Sequence, residues 1–327
     1  MKRHALYFTA PGNVEVREEN LPPPPPGHAL VQTLCSAISP GTEMLVYRGQ
    51  FPSALAVDET IAALGGAFAY PLKYGYASVG RVARVGKGVG RGWKNKLVFA
   101  FQPHQSHFIA PVESLLPLPE DLDAETALFL PTMETAVNFL LDGQPLIGER
   151  VAVLGQGIVG LLTTALLALH PLAALTTFDR YALRREASLA LGAHLSLDPA
   201  AEPDLQADLT YELSGAPAAL NTAIAVTGFD GRIVVGSWYG QKKATLDLGG
   251  RFHRSRIRLI SSQVSTLTPA LAARWSKARR LDVAWAMLRA VQPARLITHR
   301  FAFDDAAEAY ALVDKHPEQC IQVALNY

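Results

Sequence analysis

VAVLGQGIVGLLTTALLALHPLAALTTFD, residues 151–179, decides how this chain is read. A short apolar run, Val151–Leu154, leads directly into Gly155-Gln156-Gly157-Ile158-Val159-Gly160, the spacing G-x-G-x-x-G. An apolar helical run and a second strand-like run follow, and Asp179 stands 24 residues after Gly155. A glycine triplet alone is weak. Set between a strand and a helix, with an acid closing the next strand, it is a dinucleotide-binding fingerprint in its required context. Gly155 permits the tight turn, Gly157 leaves room for a pyrophosphate, and Gly160 lets the helix approach the strand. The helix N-terminus adds free N–H groups and the positive end of its dipole. Asp179 suits the hydroxyls of an adenosine ribose and so favours NAD. Arg180 beside it, followed by Arg184 and Arg185, keeps NADP open.

The remaining composition sets limits. A chain of 327 residues, 49% hydrophobic and 18% charged, is long enough for two domains with proper cores. A net charge of +1 argues against nucleic acid as the main partner. The longest apolar run, Ile158–Leu175, is interrupted by Thr163, Thr164, His170 and Pro171, and it reads as a buried helix and strand, not a membrane span. Met1–Arg3 is basic, but Tyr7–Asn13 lacks the apolar core of a signal segment. Two cysteines, Cys35 and Cys320, cannot build a disulfide framework, which makes the cytoplasm the expected compartment.

The front of the chain is β-rich, with short runs at His4–Phe8, Val14–Arg17, Ala29–Ser36, Ala77–Val85, Lys96–Phe101 and His107–Ala110. Pro22–Pro26 is a stiff connector, and the glycine-rich loop Gly86–Gly92 reads as a hairpin loop. A helix is expected over Asp123–Leu141. From Val151 six strands alternate with helices: Val151–Leu154, Leu175–Phe178, His194–Leu197, Asp208–Leu213, Arg232–Gly236 and Ile257–Ser261. That alternation predicts an α/β fold with a doubly wound six-stranded parallel sheet over residues 132–263. A helix over Pro269–Val291, another over Asp304–Asp314 and a final strand Gln319–Leu325 are expected after it.

With these pieces in place, the chain resembles the medium-chain dehydrogenase/reductase superfamily over nearly its whole length. The matching segments are Val31–Glu43, Gly75–Gly86 (GYASVGRVARVG), Val151–Gly160, Glu212–Gly215 and Leu296–Tyr327. ISPGTE (38–43), YPLKYGY (70–76) and LITHRF (296–301) look most like the zinc-free, alcohol dehydrogenase-like branch that includes bacteriochlorophyllide dehydrogenases, although the loop Phe51–Ala69 departs from it. The resemblance implies a GroES-like catalytic domain from residues 1–131 and 264–327 around the Rossmann domain 132–263. It also implies cofactor contacts from Thr135, Ser214 and Ser237, and a homodimer. An exposed edge strand Arg256–Ser262 gives a physical reason for that dimer.

In zinc members of the superfamily a cysteine and a Gly-His-Glu motif hold the catalytic metal. Here Ser39 or Pro40 falls at the cysteine position, and Gly75-Tyr76-Ala77 replaces Gly-His-Glu. A four-cysteine zinc lobe cannot form from two cysteines. His104 and His107 make an H-x-x-H pair with no obvious third ligand. The expected enzyme therefore has no metal and manages the substrate oxygen by hydrogen bonding. The candidates, in order, are Tyr76, Thr42, His104 and Ser39. Tyr76 reads equally as a core tyrosine filling the space a metal would leave. Glu43 is expected in an ion pair with an arginine of the nucleotide domain, and Glu134 has no evident partner. Phe51, Tyr74, Trp238 and Tyr239 are candidate contacts for a bulky planar or apolar substrate.

The expected reaction interconverts a secondary alcohol and a ketone on a hydrophobic small molecule; the branch resemblance implies a tetrapyrrole hydroxyethyl group. A zinc-free enone or quinone reductase is the alternative enzyme. A non-catalytic NAD(H)-binding protein is the alternative of another class.

Overall fold

The computed structural model describes residues 1–52, 57, 61–201 and 204–327. Part of the loop 51–69 thus lies outside the described residues. The chain divides into two compact units, one of residues 1–131 and 292–327, the other of residues 132–291.

The second unit is a six-stranded, all-parallel sheet. Its spatial order is Leu195–Leu197, Ala174–Phe178, Arg150–Leu154, Ala207–Glu212, Thr227–Val235, Arg258–Ser261. The first strand in sequence sits at the centre, where the order reverses, which is the switch point of a doubly wound fold. Alternate residues of that strand serve opposite faces. Ala152 and Leu154 pack with Phe178, Ile224 and Ile233, while Val151 and Val153 pack with Leu175, Leu209 and Val234. Burial on both faces explains why these strands read as unbroken apolar runs. The apolar run after the glycines forms the helix Ile158–Leu167, and no helix among the described residues is long and apolar enough to cross a membrane.

Three expectations shift. The helix expected over 123–141 is two helices, Ala124–Ala127 and Leu130–Gly143. Pro131 has no N–H to continue the first ladder, so a new helix starts around it. The helix expected from Pro269 begins only at Lys277, after a run of turns, with the Ser276 hydroxyl accepting the N–H of Arg279 at 3.1 Å as an N-cap. The return to the first unit comes at Gln292 and not at residue 264. The reason is Arg280, which is 1% exposed and bonded to Glu134, Asn138 and the carbonyl oxygens of Val264 and Thr266. The segment 264–291 is thereby tied to the helix Leu130–Gly143.

The first unit carries a mixed sheet in the order Ile297–Ala302, Gln322–Asn326, His28–Ile38, Ser78–Val85, Leu97–Ala100, Leu116–Pro117, with His107–Pro111 also pairing with His28–Ile38. A separate hairpin, Lys2–Ala10 with Asn13–Asn20, accompanies it. The glycine-rich loop joins two antiparallel strands, as a hairpin loop should. Together the two units give the α/β, GroES-like plus Rossmann architecture.

Neither cysteine is in a disulfide, and both are buried in this first unit. Burial, with the carboxylates of Glu125 and Asp123 behind it, pushes the Cys35 thiol up to about 12. Neither cysteine should react with an aromatic disulfide reagent at neutral pH in the folded protein, and both should react after denaturation. Prompt labelling of the native protein would contradict this packing.

Candidate functional site

The nucleotide half is built by the fingerprint. Gly155 has φ +91°, and a Cβ there would lie 2.5 Å from the Ser214 Cα. A Cβ on Gly160 would lie 1.9 Å from the Gly155 carbonyl oxygen. Both positions exclude any side chain. At Gly157, by contrast, a Cβ meets nothing within 4 Å, so the loop is open where a pyrophosphate needs room. Gly157 caps the helix, whose first turn carries Ile158 and Val159. Gln156 is buried, donating to the Val153 and Gly155 carbonyls and accepting from Thr164 at 2.9 Å.

Asp179 follows the second strand, and its carboxylate is bonded within the fold. Its Oδ2 accepts the Gln156 N–H at 2.8 Å and its Oδ1 accepts the Tyr181 N–H at 2.9 Å. A carboxylate retains lone pairs beyond these two bonds. Arg180 is exposed, and its guanidinium lies 5.5 Å from the Tyr181 ring centroid; Arg184 lies 4.9 Å from the same ring. Arg185 turns back to the Asp179 carbonyl at 2.8 Å. The residues present thus fit a dinucleotide. Asp179→Ala is expected to weaken NADH binding about tenfold or more, since it frees the Gln156 turn as well as removing the ribose acceptor. A fluorescence titration checks it; an unchanged Kd would remove Asp179 from the site.

Glu212, at the end of the neighbouring strand, is fully buried. It accepts the Ser214 N–H at 2.8 Å, the Ser214 hydroxyl and the Tyr239 hydroxyl. Burial first, and the facing Glu212 next, raise the Tyr239 phenol far above its ordinary value. Tyr239 is therefore a donor committed to Glu212. Ser237 accepts the Gly215 N–H at 2.9 Å, and Trp238 is 39% exposed. Thr135 is half-buried on the helix Leu130–Gly143. Glu134, which had no evident partner, is paired with Arg280 at 2.8 Å.

The first unit brings together Tyr76, Ser39 and His104, and adds residues that sequence reading did not single out. The Tyr76 hydroxyl donates to Ser39 Oγ at 2.6 Å. The Ser39 N–H donates to Glu43 Oε1 at 2.9 Å, and Glu43 Oε2 meets His104 Nε2 at 2.9 Å. Glu43 therefore pairs with a buried imidazole, not with an arginine. Tyr310 donates its hydroxyl to the same Oε2. Burial, then Glu43, pushes the Tyr310 phenol well above its ordinary value and keeps its proton on. On the far side, His104 Nδ1 meets Ser36 Oγ at 2.7 Å, and Ser36 Oγ meets the Tyr327 hydroxyl at 2.9 Å. Ser36, Glu43, His104 and Tyr310 are all fully buried.

Gly75 makes this arrangement possible. Its φ is +110°, and a Cβ there would sit 2.6 Å from the His104 ring. The imidazole packs against the backbone at Gly75. His107 lies on the strand His107–Pro111, with Nδ1 3.2 Å from Ser106 Oγ, and does not join His104 in a ligand pair. Thr42 opens the helix Thr42–Tyr47 and is not a member of the chain of bonds. Phe51 and Tyr74 are core residues: Phe51 is 6% exposed and stacks on Phe68 at 4.3 Å, and Tyr74 is 2% exposed. They are not an open substrate wall.

Among the described residues no group of three or more His, Cys, Asp or Glu side chains is placed to hold a metal. Around Ser39 the first unit offers two hydroxyls, the Glu43 carboxylate and one imidazole. The carboxylate and both imidazole nitrogens are already bonded within the unit, a set that does not fit a zinc ion as it stands.

The chain matches no family model. It is 24% identical over 349 residues to the 2-desacetyl-2-hydroxyethyl bacteriochlorophyllide A dehydrogenase of Cereibacter sphaeroides, covering 100% of this chain and 99% of the relative. Its fold matches the rspB alcohol dehydrogenase of Escherichia coli CFT073 complexed with NADH, at TM-score 0.79, 19% identity and coverage of 100% and 99%. It also matches the zinc-dependent alcohol dehydrogenase 2 of Streptococcus pneumonia, at TM-score 0.79, 20% identity and coverage of 99% and 98%. Relatives and structural neighbours alike are medium-chain, alcohol dehydrogenase-like enzymes, and this chain shares their two-unit architecture end to end.

Proposed function

We propose that this chain is an NAD(P)-dependent oxidoreductase that works without zinc, interconverting a secondary alcohol and a ketone on a bulky hydrophobic substrate. The observation that carries the reading is the Tyr76–Ser39 hydroxyl pair, held 2.6 Å apart on the segments where zinc members keep their metal ligands. The hydroxyethyl-bearing substrate of the Cereibacter relative supports the substrate class.

Gly155–Gly160, Asp179, Ser214 and Ser237 would hold the dinucleotide, with Thr135 beside it and Arg180 available to a 2′-phosphate. Bound nicotinamide accepts or supplies the hydride. In oxidation Tyr76 takes the proton of the substrate oxygen as its own phenolic proton moves to Ser39, and Ser39, partly exposed, releases its hydroxyl proton to water; reduction runs the same transfers in reverse. A hydroxyl donor near 3 Å from that oxygen takes the part a Lewis acid plays in zinc enzymes. Arg180→Ala should weaken NADPH binding and leave NADH binding unchanged. Equal loss for both would mean that Arg180 does not read the 2′ position.

The test is turnover of hydrophobic secondary alcohols with NAD and NADP, with and without a strong chelator, beside metal analysis of the purified protein. Chelator-resistant turnover supports the reading, and one equivalent of tightly bound zinc overturns it. Quinone reduction with NADPH in place of alcohol oxidation would indicate the enone-reductase chemistry. Tight NAD(H) binding with no turnover would indicate a non-catalytic protein.

The strand Arg258–Ser261 is an edge of the parallel sheet, with Leu259 39% exposed. We infer a homodimer through it. Ile257 is a poor probe, since it is buried in the core at 5% exposure. Leu259→Glu should give a folded monomer in sedimentation; a persisting dimer places the interface elsewhere.

A further inference from the structure

Glu43 stands in an unusual position for an acid. It is fully buried, it touches the donor pair only through the backbone of Ser39, and both its oxygens are occupied. Its bonds to Ser39 close a ring. The Ser39 N–H donates to Oε1 at 2.9 Å, while the Glu43 N–H donates to the Ser39 carbonyl at 3.1 Å. The turn that carries the Ser39 hydroxyl is thereby locked to the Glu43 carboxylate.

The other oxygen is locked in turn. Oε2 receives the Tyr310 hydroxyl from the helix Ala306–Lys315 and meets Nε2 of His104. His104 is fixed from every side. Its backbone bonds Tyr74 and Leu6, its ring abuts Gly75, and its Nδ1 meets Ser36 on the central strand, backed by Tyr327 at the chain's end. With a neutral imidazole each link is satisfied in one sense: Tyr327 donates to Ser36, Ser36 to Nδ1, and Nε2–H to Glu43. Buried polar chains satisfied in full rigidify the groups at their ends.

We propose that Glu43 is the positioning residue of the site, with His104, Ser36 and Tyr310 as the frame that fixes it. Ser39, and through it Tyr76, takes its place from this frame. His104 is fully buried with both ring nitrogens bonded inside the unit, so it leaves the list of proton-relay candidates and becomes a support. The inference rests on the reading of Tyr76–Ser39 as the donor pair.

The test uses the full chain labelled with 4-13C-tyrosine, the Tyr76 resonance being identified by its loss in Tyr76→Phe. Glu43→Gln keeps the size of the side chain but turns one acceptor into a donor that faces donors. Ser36→Ala removes one hydroxyl at the far end of the frame and remains usable if Glu43→Gln does not fold. The expected result is a shifted Tyr76 resonance in both variants, larger in Glu43→Gln. With it, kcat falls about ten- to a hundredfold, while KM for substrate and Kd for NADH stay within about twofold. A Tyr76 resonance that stays in place in the folded variants overturns the inference, and so does an unchanged kcat. A wild type that turns over no alcohol or ketone overturns the oxidoreductase reading instead; the resonance still decides the coupling.

Discussion

Replacing Arg280 with alanine should destabilise the unit formed by residues 132–291 by about 3–5 kcal/mol, lowering its midpoint by ~10 °C. The guanidinium is 1% exposed and gives two hydrogen bonds to Glu134 Oε1, at 3.0 and 2.8 Å. It gives another to Asn138 at 2.6 Å, and further ones to the carbonyls of Thr266 and Val264. Alanine leaves a carboxylate and two carbonyls buried together without their donor. Arg280→Lys should recover only part of the loss, because an ammonium cannot fork across that set. Arg280→Met combined with Glu134→Leu should recover the part of the loss due to the stranded carboxylate but not all of it, since Asn138 and the two carbonyls still lack their donor. Calorimetry on the three variants checks the order.

The loss should also depend on pH. Desolvation raises the Glu134 carboxyl above its ordinary value even with Arg280 opposing it, and without Arg280 it rises further. A raised carboxyl pKa favours the folded state below the unfolded value and loses that contribution as pH climbs through the folded one. The deficit of Arg280→Ala should therefore be smaller near about pH 5 than near about pH 8. A deficit equal at both would mean that Glu134 is not the stranded group.

Tyr76→Phe carries the second large effect. It removes the hydroxyl that donates to Ser39 and leaves the ring. If Tyr76 handles the substrate proton, kcat should fall about 10²–10³-fold, with NADH affinity unchanged. The variant should melt close to wild type, because Tyr76 is only partly buried at the margin of its aromatic core. A kcat within about twofold of wild type across pH would make Tyr76 a filler and return the role to Ser39 or Thr42.

The two halves of the site differ in how far the amino-acid order discloses them. The fingerprint is local: Gly155, Gly157, Gly160 and Asp179 are joined by one strand–helix–strand unit, so spacing alone carries their geometry. Glu134 reads without a partner because Arg280 lies 146 residues away and nothing local announces it. The substrate-side frame is harder still. Tyr310 and Glu43 are 267 residues apart, and Ser36 and Tyr327 are 291 apart. Such pairs exist only because the final strand Gln322–Asn326 lies antiparallel to His28–Ile38, with Leu325 opposite Ser36. Phe51 and Tyr74 read as substrate contacts because aromatic residues serve cores and ligands equally well. Packing, which periodicity does not report, assigned Phe51 and Tyr74 to the core.

Asp179 has one further consequence. Its carboxylate holds the N–H of Gln156 in the glycine turn and the N–H of Tyr181 at the head of the next helix. Under the proposed function the carboxylate that meets the ribose is also a strut of the turn beneath the pyrophosphate. Replacing it with an apolar side chain to admit a 2′-phosphate would give up both bonds and loosen that turn. Arg180, which is exposed, is the position where charge can be altered without breaking them.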